Sequence, residues 1–183
     1  MTDYYFDAKA LIKYSALQDY KSRSGISEKG IDQIQQLISQ ADNRIYYSSL
    51  TLLECWRVLL LSYRKNILGK SRSKHANKAL QFIVEKLIAD LQSPPFVKLD
   101  TEMSEDIVMQ AHRLIEHHGT SKNVGSVDML HIALIKRSAI EMLIMVSSDK
   151  VVKNVCIAES IHLFDPENQL HNVQTDNEND SSG

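Results

Sequence analysis

Four carboxylates in this sequence stand where short apolar segments give way to helices. Asp7 follows Tyr4-Tyr5-Phe6, and Glu54 lies in the first turns after Ile45-Tyr46-Tyr47. Asp149 follows the run Met142 to Val146 and the pair Ser147-Ser148, and Asp128 opens a helix after Gly125-Ser126. Each has an ordinary explanation. Asp7 and Asp149 suit helix N-caps. Thr51 and Glu54 have the Ser/Thr-x-x-Glu spacing of a capping box, and Asp128 suits the positive end of a helix dipole. Taken together they read differently. Four like charges gathered in one place repel one another, which raises their pKa values, and a bound divalent cation relieves that repulsion. An all-oxygen donor set suits Mg²⁺ or Mn²⁺ rather than Zn²⁺. His131, three residues after Asp128, reads most simply as a half-buried helix residue satisfied locally, the other reading being a contact to substrate or to a ligating carboxylate. His117-His118 read as an exposed helix end with nothing nearby to complete a zinc set.

For these acids to meet, the elements between them must bring them to one edge. Apolar residues recur at helical spacing at Ile31, Ile34, Leu37, Ile38 and Ala41, and again at Leu80, Ile83, Val84, Leu87, Ile88 and Leu91. Ala10 to Leu17, Leu50 to Leu61, Ile107 to Ile115, Val127 to Ser138 and Val151 to Ala158 also read as helices. Tyr4 to Phe6, Ile45 to Tyr47, Phe96 to Leu99, Met142 to Val146 and His162 to Phe164 read as short strands. Pro94-Pro95 ends the helix before it, since proline has no N–H to donate. Strands separated by helices pair in parallel, which predicts an α/β fold: a three-layer α/β/α sandwich around a central, mainly parallel sheet. In such sheets ligands bind beyond the carboxyl ends of the strands, where the strand order reverses. All four acids are expected there.

The bulk numbers fit one soluble domain. The chain has 183 residues, 43% hydrophobic and 24% charged, enough for a full-sized core. The longest apolar run, Met142 to Val146, has about five residues against the ~20 needed to cross a bilayer. The start lacks a basic segment leading into an apolar one, so no secretory signal is expected. Cys55 and Cys156 lie far apart in apolar contexts and do not suggest a disulfide framework. A cytoplasmic protein without a membrane partner is the expectation. Residues 1–164 are expected to form the domain, and 165–183 a disordered acidic tail. That tail holds five acids and no Lys or Arg, which leaves the body with 21 basic and 18 acidic residues, a net charge of +3.

Seven basic residues and no acid fall between Arg57 and Lys78: Arg57, Arg64, Lys65, Lys70, Arg72, Lys74 and Lys78. The segment reads either as an arm that draws a polyanion toward the carboxylates or as a solvated hairpin between two helices.

Four blocks resemble the acidic motifs of the PIN-domain nucleases, and especially the VapC-like toxins of prokaryotic toxin–antitoxin pairs. They are Tyr5-Phe6-Asp7-Ala8 with Leu11-Ile12-Lys13, Ser48 to Glu54, Val127 to Ala133, and Ser147-Ser148-Asp149-Lys150. The likeness runs from about residue 3 to residue 164. It implies a PIN-like fold and a divalent-metal-dependent endoribonuclease, with Asp7, Glu54, Asp128 and Asp149 as metal-binding carboxylates and Mg²⁺ or Mn²⁺ as cofactor. Asp7 and Asp128 would coordinate the principal ion. Glu54 and Asp149 would complete the sphere through water or hold a second ion, and one of them would take a proton from the attacking water. Ser148 matches the hydroxyl residue before the last acid and would orient a carboxylate or a water. An RNA substrate, a cognate antitoxin and a homodimer are likewise implied by the resemblance alone. RNA contacts would then fall to Lys9, Arg64, Lys65, Lys70, Arg72 and Lys74. The chain departs from the family pattern at Lys9, where Ser or Asn is usual, at Met129, where Ala is usual, and in a longer segment from Lys65 to Asn77. Lys9 would either contact a phosphate or crowd the metal site.

Two other readings remain open. A catalytically silent PIN-like module that binds RNA or a protein partner is expected to lack one or more of the acids, and all four are present. A receiver-like phosphoacceptor needs an acidic pair at the end of the first strand, and Asp7 stands alone before Ala8-Lys9.

Overall fold

A computed structural model of the chain describes residues 1–15, 29–64, 74–99, 101, 103–120 and 123–168. Within them, five strands form one sheet in the order β3-β2-β1-β4-β5, and every neighbouring pair is parallel. The strands are β1 (Thr2–Phe6), β2 (Asn43–Tyr47), β3 (Phe96–Lys98), β4 (Leu143–Val146) and β5 (Leu163–Phe164). The helices are α1 (Ala8–Ser15), α2 (Ile31–Ser39), α3 (Ser49–Arg64), α4 (Lys74–Asp90), α5 (Glu105–Gly119), α6 (Ser126–Arg137) and α7 (Lys150–Ala158). All five strands expected from the sequence are present, and the expected sandwich is the one observed.

Alternation along the strands feeds two separate cores. Phe6, Ile45, Tyr47 and Val146 pack with α1 to α4 through Leu11, Ile34, Leu59, Ile83 and Leu87. Tyr5, Tyr46, Leu143 and Met145 face the other way, onto Ile107, Leu114, Ile132, Leu134 and Val155 of α5 to α7. Successive strand side chains point to opposite faces, so a buried parallel sheet needs apolar residues at nearly every position. Tyr4-Tyr5-Phe6 and Leu143 to Val146 meet that need. Complete burial of Phe6, Ile45 and Met145 contributes roughly 2–3 kcal/mol each.

The order of the strands reverses at β1. From there the chain adds β2 and β3 on one side, then crosses to lay β4 and β5 on the other. The loops after β1, β2 and β4 therefore open onto one crevice, as expected for this topology.

The folded body runs past Phe164, where the sequence places the domain boundary. Lys153 donates to Asp165 at 2.5 Å, and the buried Lys13 pairs with Glu167. Pro166 is buried against Gly30, whose φ is +85°. A Cβ at position 30 would lie 2.7 Å from the Pro166 carbonyl oxygen, so glycine is required there both by conformation and by space. The two acids that made this segment look like tail are the counter-charges of lysines in the body. Residues 169–183 lie outside the described residues.

Candidate functional site

Asp7, Glu54, Asp128 and Asp149 line one cleft of about 730 Å³, together with Lys9, Arg57, Ser126 and His131. The cleft lies at the carboxyl ends of β1, β2 and β4, and the sheet register explains its near wall. Phe6 pairs with Val146, so the next residues, Asp7 and Ser147, stand side by side just beyond the sheet. Asp7 is buried, and its Oδ1 accepts from the Ala10 N–H at 2.7 Å. Burial pushes its carboxyl above the ordinary range, against the pull of the Ser147 hydroxyl and the Ala10 amide. The hydroxyl beside Asp7 is thus that of Ser147. Ser148, expected to orient a carboxylate or a water, is not among the residues lining the cleft; its hydroxyl lies by Asp165, whose carboxyl it helps to hold below the ordinary value.

Glu54 does not close a capping box. The cap of α3 forms one turn earlier, where Thr51 N donates to Ser48 Oγ at 3.1 Å and Ser48 N donates to Thr51 Oγ1 at 3.2 Å. With the helix start satisfied, Glu54 is left to face His131, whose Nε2 lies 2.8 Å from Glu54 Oε2. A carboxylate only accepts, so Nε2 donates, and in the neutral ring Nδ1 accepts in turn from the Tyr5 hydroxyl at 2.6 Å. Tyr5 also lies 2.7 Å from Ser48 Oγ. His131 is only 1% exposed. It is fully buried, and its partners are 77 and 126 residues away along the chain, so the local reading of this residue does not hold. The histidine positions a carboxylate of the cleft.

Asp128 makes no hydrogen bond among the described residues, and no side chain caps α6 at Gly125. A Cβ at Gly125 would stand 2.6 Å from Asp128 Oδ2; glycine gives this carboxylate its room. Burial, then repulsion from Asp149 and Glu54, raises the Asp128 pKa. Asp149 is the N-cap of α7, with Oδ1 accepting from Val151 and Val152 at 2.9 and 3.3 Å. Its Oδ2 accepts from Lys9 Nζ at 3.0 Å. Burial works to raise the Asp149 pKa, but Lys9 and the two amides outweigh it and hold the group below its ordinary value.

Capping therefore accounts for Asp7 and Asp149 but not for Glu54 or Asp128. The donor chemistry fits a hard divalent cation, and the strained ionisation of Asp7 and Asp128 is what such a cation would relieve. No three of the four carboxylates bring oxygens within 4.8 Å of one another; among the described residues, the trio of ligating side chains that does so is His117, His118 and Glu159. An ion held by these carboxylates would therefore reach some of them only through water.

The PIN domain family matches residues 4–158. The chain belongs to that family. Among solved structures it is similar to VapBC2 from Rickettsia felis, crystallised bound to a DNA fragment from its promoter. The identity is 16%, over 90% of this chain and 98% of that one, with a TM-score of 0.51. It is also similar to DNA-bound VapBC from Salmonella typhimurium, at 17% identity over 91% and 99% of the two chains, with a TM-score of 0.48. No curated protein matches the chain.

The basic residues of this PIN domain are divided. Lys9 and Arg57 line the cleft. Lys65, Lys70 and Arg72 lie outside the described residues, and Arg64 and Lys74 are placed only as the last residue of α3 and the first of α4. On the far side of the domain, His118 is buried and bonds Glu159 Oε1 at 2.7 Å, and Lys136 pairs with the other oxygen. The His117-His118 pair is thus not a free helix end: Glu159 joins it in the trio named above.

Proposed function

We propose that the chain is a divalent-metal-dependent endoribonuclease, the toxin of a toxin–antitoxin pair. The observation that carries this reading is the meeting of Asp7, Glu54, Asp128 and Asp149 in one cleft, two of them not accounted for by helix capping. A bound Mg²⁺ or Mn²⁺ ion would supply a water of lowered pKa and neutralise charge on the attacked phosphate. Asp7 and Asp128 would hold it. Glu54, turned by His131 so that one oxygen stays free of it, is placed to accept the proton of the attacking water. Arg57, exposed at the rim, would meet phosphates of the incoming strand.

An antitoxin partner is supported by the VapBC likeness and by the surface beside the cleft. Leu53, Trp56 and Leu60 are 66%, 40% and 45% exposed and share one face of α3 at spacings of three and four residues. An apolar stripe of this kind marks a surface that another chain covers. A homodimer and a cytoplasmic setting belong to the same proposal. No helix among the described residues is long and apolar enough to cross a membrane.

The decisive experiment is cleavage of a mixed RNA pool with Mn²⁺, with EDTA and with the Asp128→Asn variant. The expected result is Mn²⁺-dependent cleavage, lost in the variant with its unfolding midpoint not lowered, because among the described residues Asp128 makes no bond that Asn would break and Asn removes its repulsion from Asp149 and Glu54. RNA binding without cleavage would favour the silent module, and full activity of Asp128→Asn would end the assignment.

A further inference from the structure

We propose that Lys9 is a built-in cation of the cleft: its ammonium holds the place beside Asp149 that a second divalent ion would otherwise take, so that the site binds one ion. This rests on the metal-dependent reading above.

The case is made by which carboxylate oxygens are engaged. Both oxygens of Asp149 are engaged: Oδ1 accepts from the amides of Val151 and Val152, and Oδ2 from the Lys9 ammonium, a cation that repels a second one. Asp7 gives Oδ1 to Ala10 and also accepts from the Ser147 hydroxyl, and Glu54 gives Oε2 to His131. Asp128 gives neither. The oxygens left for a metal belong to Asp7, Glu54 and Asp128, which do not all lie within 4.8 Å of one another, so one ion would reach part of this set through water, while Asp149 is committed to an ammonium.

Lys9 reaches Asp149 because of where its element starts. It lies two residues after Asp7, in the first turn of α1, and its flexible four-carbon stem carries a compact charge across the cleft. Its charge is also felt by Asp7 and Asp128. With His131 neutral, the four carboxylates, Lys9 and Arg57 give the cleft lining a formal charge of −2. One divalent ion neutralises that charge, and a second would reverse it against two fixed cations.

Isothermal titration of the full chain with MnCl₂ tests the proposal. The lysine side chain is 59% exposed, so Lys9→Ala keeps the fold. The expected stoichiometry is one Mn²⁺ per chain in the wild type and two in Lys9→Ala. The added ion should disappear in the Lys9→Ala, Asp149→Asn double variant, and Lys9→Arg should remain at one. Equal stoichiometry in wild type and Lys9→Ala overturns the role of Lys9 while the metal reading stands. An added ion that survives the double variant also overturns it, since that ion is not held by Asp149. Absence of Mn²⁺ binding in every variant removes the metal reading and this proposal with it.

Discussion

Tyr5 shows how much a single buried hydroxyl can organise. It joins Ser48 at the cap of α3 to His131 on α6, and through His131 to Glu54. Replacing it by Phe keeps the ring in its core and removes only that link. Ser48 and Thr51 still bond each other, but His131 Nδ1 is left buried without a partner. The expected cost is about 1–3 kcal/mol, measured by urea unfolding of Tyr5→Phe; a stability equal to wild type would show that the hydroxyl contributes nothing. The four acids were legible in the sequence because carboxylates at helix starts after strands carry information locally. The role of His131 was not, because its partners lie across the sheet and on another helix, and nothing in the spacing of Asp128 to His131 reports them. Which serine neighbours Asp7 was not legible for a related reason. Ser147 and Ser148 are chemically alike, and only the pairing of Phe6 with Val146 decides which of them stands beside Asp7.

At the scale of elements, the ends of three helices are tied at Glu159. This residue follows α7, accepts from Lys136 in the last turn of α6, and lies 2.7 Å from His118 in the last turn of α5. Lys136 is the main cause that holds the Glu159 carboxyl below its ordinary pKa; burial opposes it and His118 adds to it. A pKa depressed in the folded state means stability that is present above the unfolded value and lost as pH falls through the folded one. Glu159→Gln should therefore cost about 1–2 kcal/mol near pH 7, and the gap from wild type should close below about pH 4. Denaturant midpoints across that range check this; a gap that persists at acid pH would mean that packing, not charge, holds the corner. Lys136 sits where cations favour a helix end, but the pairing with Glu159 was not legible. His117-His118 read as an exposed end because no periodicity shows which helix passes beneath.

For the whole molecule, the parallel three-layer architecture came through from the sequence because five short apolar runs separated by amphipathic helices admit few arrangements, while the strand order is read from the structure. Charge composition was a poorer guide. The acids after Phe164 looked like the start of a solvated tail, since like charges in a row usually are. Two of them face lysines contributed by α1 and α7, a relation that composition cannot express. The basic segment from Arg57 is a different case: Arg57 lines the cleft, and residues 65–73 lie outside the described residues.

The strap formed by residues 165–168 fixes where this chain can be cut. Lys13 is buried, with its ammonium shared between the Lys29 carbonyl and Glu167. Ending the polypeptide at Phe164 would leave that buried ammonium with the Lys29 carbonyl and without its counter-charge, and would strip Lys153 of its counter-ion. Because Glu167 is itself 40% exposed, the expected loss is about 2–3 kcal/mol, less than for a fully enclosed pair. A version ending at Asn168 should melt like the full-length protein. If both shortened forms match it, the strap is decoration; if only the longer one does, four residues beyond the last strand act as the latch of the first helix.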